Sequence, residues 1–472
     1  MAGGGGIRLG EWMSRRGQAG KGLGRRFNRL WAAAAAGNLG DGVYRVAIAL
    51  LAARLTSDPV AFSVLAALGF LPWLVLGLPA GVLVDRYDRR RLALVVGAVR
   101  TGVIAALLVA VALDRASLWL LYTVVLVLGA CETVYDNAVG SMVPAVVGDR
   151  ERLETANGRL QGAGLLAQDF VGPPLASAVF AVAAGAAFGI NVACFAVAAV
   201  LMVALPGTYR AEGGEPVRMG KAMRQAVRFV RGDALHRAML SVVVVLGFAN
   251  AMAMALVVLW TREVLGIPEA AFGFFLLTAA VGALAGSQSA AWVAARTGRG
   301  RAMAVSAVVT GLGMLLAAAT RSPYVAAVGW ALAGWAILVW NVVYGSLRQR
   351  LTPDALLGRT IGIYRVVAWG VMPLGAITGG VLADVGDLRT PILVAALLTL
   401  AAGGYAAIRL TNARVDAAVT NADAAITKAD AAITNADAAV TNADAAITRA
   451  DAAATSDAET AGQAVSGDRG AA

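Results

Sequence analysis

The chain has 472 residues, of which 59% are hydrophobic and 15% charged, and its net charge is +11. Soluble domains average roughly 45–50% apolar and about 25% charged residues. This composition excludes an ordinary soluble enzyme, a disordered chain and a disulfide-framework protein, and it predicts an integral membrane protein.

The numbers of cysteine and histidine residues exclude further classes of function. The two cysteines and the single histidine, His236, show no metal-ligand spacing and allow no histidine-based triad. We therefore expect no metal site, no cofactor and no enzymatic activity. His236 is expected on the surface, and Cys131 and Cys194 are expected to be buried, inert thiols.

Twelve apolar runs are long enough to cross a hydrocarbon core of about 30 Å as helices. An all-α integral membrane fold with twelve transmembrane helices is predicted. The predicted spans are 29–53, 60–84, 92–113, 117–145, 156–183, 186–206, 238–261, 271–294, 302–320, 323–347, 360–383 and 390–410.

The basic residues between these spans alternate in number. One set of loops holds 27 Lys and Arg residues, and the intervening set holds 5. The positive-inside rule places the richer set, and with it both chain termini, in the cytoplasm. The expected location is the plasma membrane, with the bilayer as a partner. Because the positive charge follows the loops, nucleic acid is not an expected partner.

The chain divides into five regions. They are a basic segment (1–28), a six-helix half (29–206), a central cytoplasmic loop (207–237), a second six-helix half (238–410) and an acidic tail (411–472). The halves resemble each other: residues 135–141 match 340–346, while Gly158, Arg159 and Pro173 match Gly358, Arg359 and Pro373. Such repeats are typical of transporters whose substrate site lies between the halves.

The acidic tail repeats every seven residues. Ile426, Ala429, Ile433 and Ala436 follow the spacing of a heptad seam, and alanine is the best helix former. Two interpretations stay open at this point. The tail is either an inert, partly helical extension or a helix that binds a partner or a second copy of the chain.

A motif at the end of the second span indicates a family. Residues 81–91 read Gly-Val-Leu-Val-Asp-Arg-Tyr-Asp-Arg-Arg-Arg, which resembles motif A of the major facilitator superfamily, with Asp88 where that motif usually has glycine. Gly172-Pro173 in the fifth span resembles motif C of the antiporters in this superfamily. Pro373, Gly375 and Gly379 occupy the corresponding place in the eleventh span, and all five residues are expected to form hinges.

Further residues resemble one branch of that superfamily. Residues 348–354, Gly358-Arg359, Tyr364-Arg365 and residues 38–41 are similar to enterobactin exporters and macrolide-efflux proteins. The resemblance implies the major facilitator fold, with a cavity lined by the first, fourth, seventh and tenth spans. It also implies proton-coupled export of a small natural product, drug or siderophore. The alternatives are a proton-coupled nutrient importer and a non-transporting scaffold that acts through its tail.

Seven charged residues lie at least five residues from the ends of the predicted spans, where each costs about 2.5–3.5 kcal/mol on insertion scales. The carboxylates are candidates for proton coupling, and the arginines are candidate partners. The acids are Asp41, Glu132, Asp136 and Asp169, and the arginines are Arg45, Arg100 and Arg365.

The spacing of these charges suggests specific pairs. Asp41 and Arg45 are four residues apart and share a helix face, so they form either a self-neutralised pair or a site where Asp41 binds protons. Arg100 is expected to snorkel to the surface or to pair with an acid on another span. Asp136 is expected near the basic loop, and the role of Asp169 stays open between hinge and proton site.

Two further groups complete the candidate site. Asp85 of motif A is expected to meet the positive N-terminus of the eleventh span only when the cytoplasmic side is closed, and so to act as a conformational gate. Trp260, at the end of a span, is expected to anchor at the membrane interface. The gate comprises Gly81, Asp85, Arg86, Arg89 and Arg90, and the substrate-cavity candidates are Asn38, Trp340, Asn341 and Tyr344.

Overall fold

The computed structural model describes residues 23–149, 152–210, 219–424 and 427, and within these ranges all regular structure is helical. The predicted heptad seam at Ile426, Ala429, Ile433 and Ala436 and most of the N-terminal segment lie outside the described residues. The first six long helices are α1 (Gly24–Leu55), α2 (Pro59–Arg86), α3 (Arg89–Ala112), α4 (Leu118–Val147), α5 (Leu153–Val182) and α6 (Ala184–Val203).

The second half follows after a connecting helix, Met219–Gly232. Its long helices are α7 (Ala234–Ala255, continued by Val257–Glu263), α8 (Glu269–Thr297), α9 (Arg299–Ala319), α10 (Pro323–Leu351), α11 (Asp354–Gly370, continued by Met372–Val385) and α12 (Thr390–Arg409). Each predicted span overlaps one of these helices, with ends that differ by a few residues.

Eleven helices among the described residues are long and apolar enough to cross a membrane. Helix α1 is not among them, although its 32 residues extend for about 48 Å at a rise of 1.5 Å per residue. Asn38, Asp41 and Arg45 lie in the middle of α1 and lower its hydropathy. The fold is therefore an all-helical membrane bundle, and the total of twelve spans stays a prediction that depends on α1.

Aspartates placed directly before a helix set several of these boundaries. Asp58 accepts hydrogen bonds from the backbone N–H groups of Val60 and Ala61, and Pro59 opens α2. Asp233 accepts one from the N–H of His236 at the start of α7. The first N–H groups of a helix have no partner within it, so these carboxylates satisfy donors that would otherwise stay unpaired.

Glycines bring the helices of the second half into backbone contact. A Cβ atom on Gly282 or Gly286 of α8 would collide with the carbonyl oxygen of Ala331 or Trp335 in α10. Helices in a membrane have little hydrophobic drive to associate, so close van der Waals packing at small residues holds them together. The α8–α10 contact depends on these missing side chains.

The buried apolar residues form three clusters whose arrangement reveals the conformation. One cluster contains residues of both halves, including Leu50 and Phe180 from the first and Met252 and Trp260 from the second. The other two clusters each belong to a single half. The halves are therefore packed together at one side, which we name the closed side, and are separate at the other. That other side carries Arg86–Arg91 and is named the basic side.

A helix over residues 412–424 docks on the basic side of the second half. Val415 and Val419 are buried in the same cluster as Val230 of the connecting helix. The side chain of Asn412 donates to the carbonyl of Thr297 at 2.7 Å and accepts from the N–H of Arg301 at 3.0 Å. The beginning of the tail is thus a fixed part of the second half.

We expect Gly286→Ala to destabilise the protein, because the added methyl group would collide with the α10 backbone. Overpacking of this kind costs about 1–3 kcal/mol. Gly189→Ala in α6 is the matched control, because a Cβ atom there meets nothing within 4 Å. The measurement is the midpoint of thermal unfolding of both variants in one detergent. An equal midpoint for the two variants would contradict the packing argument.

Candidate functional site

A cavity of about 520 Å³ lies between the two halves. Helices α1 and α5 line it from the first half, and α7, α8 and α10 line it from the second, with smaller contributions from α9 and α12. Most of the lining is apolar. The resemblance correctly implied the first, seventh and tenth spans, but no residue of α4 lines this cavity, while α5 and α8 do. The polar lining residues are Arg45, Gln168, Asp169, Asn250, Ser287, Thr310 and Thr399.

The buried ion pair of the first half joins Asp41 of α1 to Arg100 of α3. Both side chains are almost fully buried. The guanidinium of Arg100 also lies over the rings of Phe195 and Tyr135, with 4.0 and 5.4 Å to the ring centroids. The predicted pairing of Arg100 with an acid on a neighbouring helix is therefore what the structure shows.

Arg45 pairs with Glu132 of α4 at 2.6 Å, and not with Asp41. In the amide orientation that satisfies both groups, the side-chain oxygen of Gln168 accepts two more hydrogen bonds from Arg45, at 2.6 and 2.8 Å. The predicted self-neutralised pair of Asp41 and Arg45 is thus wrong. The reason is geometric: residues four apart share a face, but their long side chains reach sideways to other helices.

Asp136 and Asp169 make no hydrogen bond or ion pair with any described residue, and both are exposed. Asp136 lies one turn beyond Glu132 on α4. Asp169 lines the cavity from a π-helical turn, Leu165–Val171, that interrupts α5. Such turns are rare and often mark functional sites. Two unpaired carboxylates thus accompany the two arginine–carboxylate pairs.

The residues of motif C lie where helices touch. A Cβ atom on Gly172 would collide with the backbone of Gly42 in α1, and one on Gly375 or Gly379 would collide with the backbone of α7. The π-helical turn ends directly before Gly172-Pro173, and α11 is interrupted at Val371, before Pro373. These glycines therefore permit close packing, and movement about them stays a prediction.

A salt-bridge cluster joins the halves on the closed side. The guanidinium of Arg54, at the end of α1, donates to both carboxylate oxygens of Glu269 in α8, at 3.1 and 2.5 Å. Arg262 lies 3.7 Å from the same carboxylate and donates to the carbonyl of Ala53 at 3.0 Å. We call Arg54, Arg262 and Glu269 the latch. Sequence reasoning used the two arginines only to count loop charges and missed their shared acid.

Motif A lies on the basic side, where the halves are apart. The side chain of Asp85 is 73% exposed, and its nearest basic partner is Arg89 at 3.9 Å. Arg90 donates to the carbonyls of Met202 and Val203, at 3.0 and 2.6 Å, and so binds the negative end of the α6 dipole. Asp85 does not contact α11 here, as expected for a conformation that is open on this side. Gly81 and Arg86 also face open space or solvent.

Asp88, which replaces the usual glycine of motif A, has an ordinary backbone conformation with φ −64°. Its carboxylate accepts from the N–H of Arg91 at 2.9 Å, which caps α3, and from the N–H of Tyr209 at 2.7 Å. Desolvation alone would raise the pKa of Asp88, but these two hydrogen bonds and the positive charges of Arg91 and Arg90 together lower the pKa. The aspartate therefore binds the chain segment that follows α6.

None of the four predicted substrate-cavity residues lines the cavity. Trp340 and Tyr344 stack at 6.1 Å inside the second half, where Arg348 donates to the Tyr344 hydroxyl. Asn38 is half-buried beside Gly164, and Asn341 is exposed. Residues four apart share a helix face, but that face here packs against α11 through Tyr364, 5.6 Å from Tyr344.

Three other predictions need correction or comment. Trp260 is not an interface anchor, because it is fully buried and stacks on Trp330 at 5.8 Å. His236 is not on the surface: it is buried, with its ring nitrogens 3.0 Å from Asp233 and 3.2 Å from Thr352. Arg365 is exposed and does not line the cavity.

We expect Arg100→Leu to reduce the yield of folded protein sharply, because it leaves the Asp41 carboxylate buried and unpaired. Breaking one side of a buried pair costs about 3–5 kcal/mol. The double variant Arg100→Leu, Asp41→Asn should recover much of this loss, since no buried charge remains. Arg115→Leu, which removes an exposed arginine, is the control. Thermal unfolding in detergent measures all four proteins, and a double variant no better than Arg100→Leu would contradict the pairing.

Solved structures share this fold. The chain superposes on a nucleoside transporter, NupG, with a TM-score of 0.67 at 11% identity, covering 82% of this chain and 100% of that one. It superposes equally well, at 17% identity, on a bacterial homologue of the iron transporter ferroportin in an inward-facing state, covering 82% and 99%. A bacterial homologue of the lysosomal transporter Spinster, also inward-facing, gives a TM-score of 0.63 at 13% identity, covering 82% and 96%.

Sequence comparison identifies relatives and a family. Macrolide efflux protein A of Streptococcus pyogenes is 23% identical over 131 residues, which is 28% of this chain and 32% of that protein. The match therefore spans about a third of the length of this relative. The family model of transmembrane secretion effectors matches residues 24–443. The chain accordingly belongs to the transmembrane secretion effector family, within the major facilitator superfamily of membrane transporters.

Proposed function

We propose that this transporter exports a small amphipathic molecule in exchange for protons, by alternating access. The observation that carries the proposal is the cavity between the halves, which is lined by the unpaired carboxylate of Asp169 and is closed on one side by the latch. Secondary transporters place their substrate site between two repeated halves, which rock about that site. The partial likeness to a macrolide efflux protein supports export.

The charge of the loops supports an assignment of the side to which the cavity opens. The positive-inside rule assigns the basic side to the cytoplasm. In this proposal the chain lies in the plasma membrane, and the described conformation is open to the cytoplasm. Substrate then enters the cavity from within the cell. Opening the other side requires separating Arg54 and Arg262 from Glu269, while closure of the basic side brings Asp85 to the N-terminus of α11.

Protons exchange, in this proposal, at the carboxylates inside the first half. Asp136 and Asp169 can take a proton without breaking an ion pair. Asp41 is held by Arg100, so its protonation would remove the charge that binds this arginine and break the link between α1 and α3. Breaking that link is the step that, in this proposal, couples proton binding to the conformational equilibrium.

The test uses inside-out vesicles with an imposed proton gradient and a panel of macrolides, siderophores, dyes and nutrients. One compound class should collapse the gradient with the wild type and with Asp384→Asn, an exposed acid outside the cavity. Asp136→Asn and Asp41→Asn should each reduce the response at least about tenfold, equal to about 1.4 kcal/mol.

Three outcomes would contradict the proposal. Uptake into right-side-out vesicles, driven by an inward proton gradient, would show an importer. Equal responses from the wild type and every carboxylate variant would place coupling elsewhere. If removal of residues 425–472, which keeps the docked helix over residues 412–424, abolishes the effect of the chain in cells while no compound of the panel is transported, the chain acts as a scaffold.

The latch and motif A are expected to act in opposite directions. Glu269→Gln removes the charge that holds the closed side, so it should favour the conformation open on that side. Asp85→Asn weakens the proposed contact with α11 and should favour the described conformation. Distances between spin labels at Ser57 and Glu263, on opposite halves of the closed side, measure the effect. We expect a population with a longer label-to-label distance in Glu269→Gln and not in Asp85→Asn. Identical distance distributions in the two variants would contradict this expectation.

A further inference from the structure

We propose that the cavity selects amphipathic cations and that Asp169 is their counter-ion. This inference deepens the proposed function and rests on it for the location of the substrate site. It depends on the balance of charge around the cavity, on the shape of α5 at Asp169, and on the apolar character of the remaining wall.

The charges around the cavity leave one carboxylate unmatched. Among the described residues, Arg45 and Asp169 are the charged ones that line it, and the side chain of Arg45 is 51% exposed. Arg45 is already neutralised by Glu132 and hydrogen-bonded to Gln168. Asp169 makes no hydrogen bond or ion pair with any described residue. Arg45, Glu132 and Asp169 together therefore carry one net negative charge at the cavity wall.

The π-helical turn explains why Asp169 stays without a partner. The turn adds a residue to α5 between Leu165 and Val171, directly before Gly172-Pro173, where α5 rests on the backbone of α1. The widened turn leaves the carboxylate of Asp169 exposed at the cavity.

The wall facing this carboxylate is mostly apolar, although it also includes Asn250, Ser287, Thr310 and Thr399. Met254, Leu276, Leu284, Met314 and Trp330 contribute to it, all from the second half. A volume of about 520 Å³ lies within the range of about 300–1,000 Å³ typical of small-molecule sites. Methionine side chains adapt to ligands of different shape. The wall therefore fits a bulky apolar body that carries one positive charge at its Asp169 end.

Neutral and anionic molecules of the same shape fit less well. A neutral ligand would displace water from Asp169 and leave a carboxylate without a partner in an apolar surrounding, which is costly. An anion would be repelled by Asp169 and could reach Arg45 only in competition with Glu132 and Gln168. Selection by charge thus follows from which groups are already paired.

The test compares two probes of nearly equal shape and opposite charge, tetraphenylphosphonium and tetraphenylborate. Binding to the purified full chain in detergent is measured by equilibrium dialysis. Ala283→Trp places a bulky side chain in the cavity. The amount of probe bound by this variant is subtracted as uptake by the detergent micelle. The wild type should bind the cation and not the anion. Asp169→Asn should weaken cation binding at least about tenfold, or about 1.4 kcal/mol, whereas Asp169→Glu and the control Asp384→Asn should retain it.

A second variant keeps the inference testable if Asp169→Asn does not fold. Ser287→Lys places a positive charge on the opposite wall of the cavity. It should abolish cation binding and permit binding of the anion. Equal binding of both probes by the wild type, or unchanged cation binding in Asp169→Asn or Ser287→Lys, would overturn the inference.

The outcomes separate this inference from the proposed function. A response of the vesicles to neutral or anionic compounds and not to cations would support proton-coupled export and contradict the selection of cations. Binding of the cation through Asp169, with no compound collapsing the proton gradient, would support the cation site and contradict proton-coupled export.

Discussion

The interior of the first half is organised by the need to pair charge in a medium that does not solvate it. Asp41 and Arg45 point from one helix toward different partners, Arg100 on α3 and Glu132 on α4. These two pairs link α1 to both helices, and α5 rests on α1 through Gly172. The charged side chains at the first-half wall of the cavity are therefore positioned by the two arginines and their partners.

The two halves are stabilised by different kinds of contact, and they contribute different kinds of side chain to the cavity. The second half is held together largely by glycine-to-backbone contacts such as those between α8 and α10. It can therefore offer the cavity a wall of apolar side chains without buried charges behind it. The first half supplies the charged side, with Arg45, Gln168 and Asp169. The charged side chains of the cavity thus lie on one wall, while the opposite wall is mostly apolar.

The sequence predicted the helices, the motif A loop and the interior carboxylates, because each depends on local composition. It could not predict the ion pairs, since periodicity places Asp41 and Arg45 on one face without saying which helix lies opposite. The same limit explains Trp340 and Tyr344, whose shared face meets α11 and not the cavity. The latch at Glu269 was missed because its members come from three helix ends that are far apart in sequence.

The polar middle of α1 has a consequence for how the chain enters a bilayer. This helix is less apolar than the eleven other long helices, and its charged side chains form ion pairs with Arg100 and Glu132, which lie 59 and 87 residues later. During synthesis, α1 therefore remains uncompensated until α3 and α4 have followed it out of the ribosome. The first half must accordingly be inserted as a group of helices, and the insertion machinery has to shelter α1 until its partners arrive.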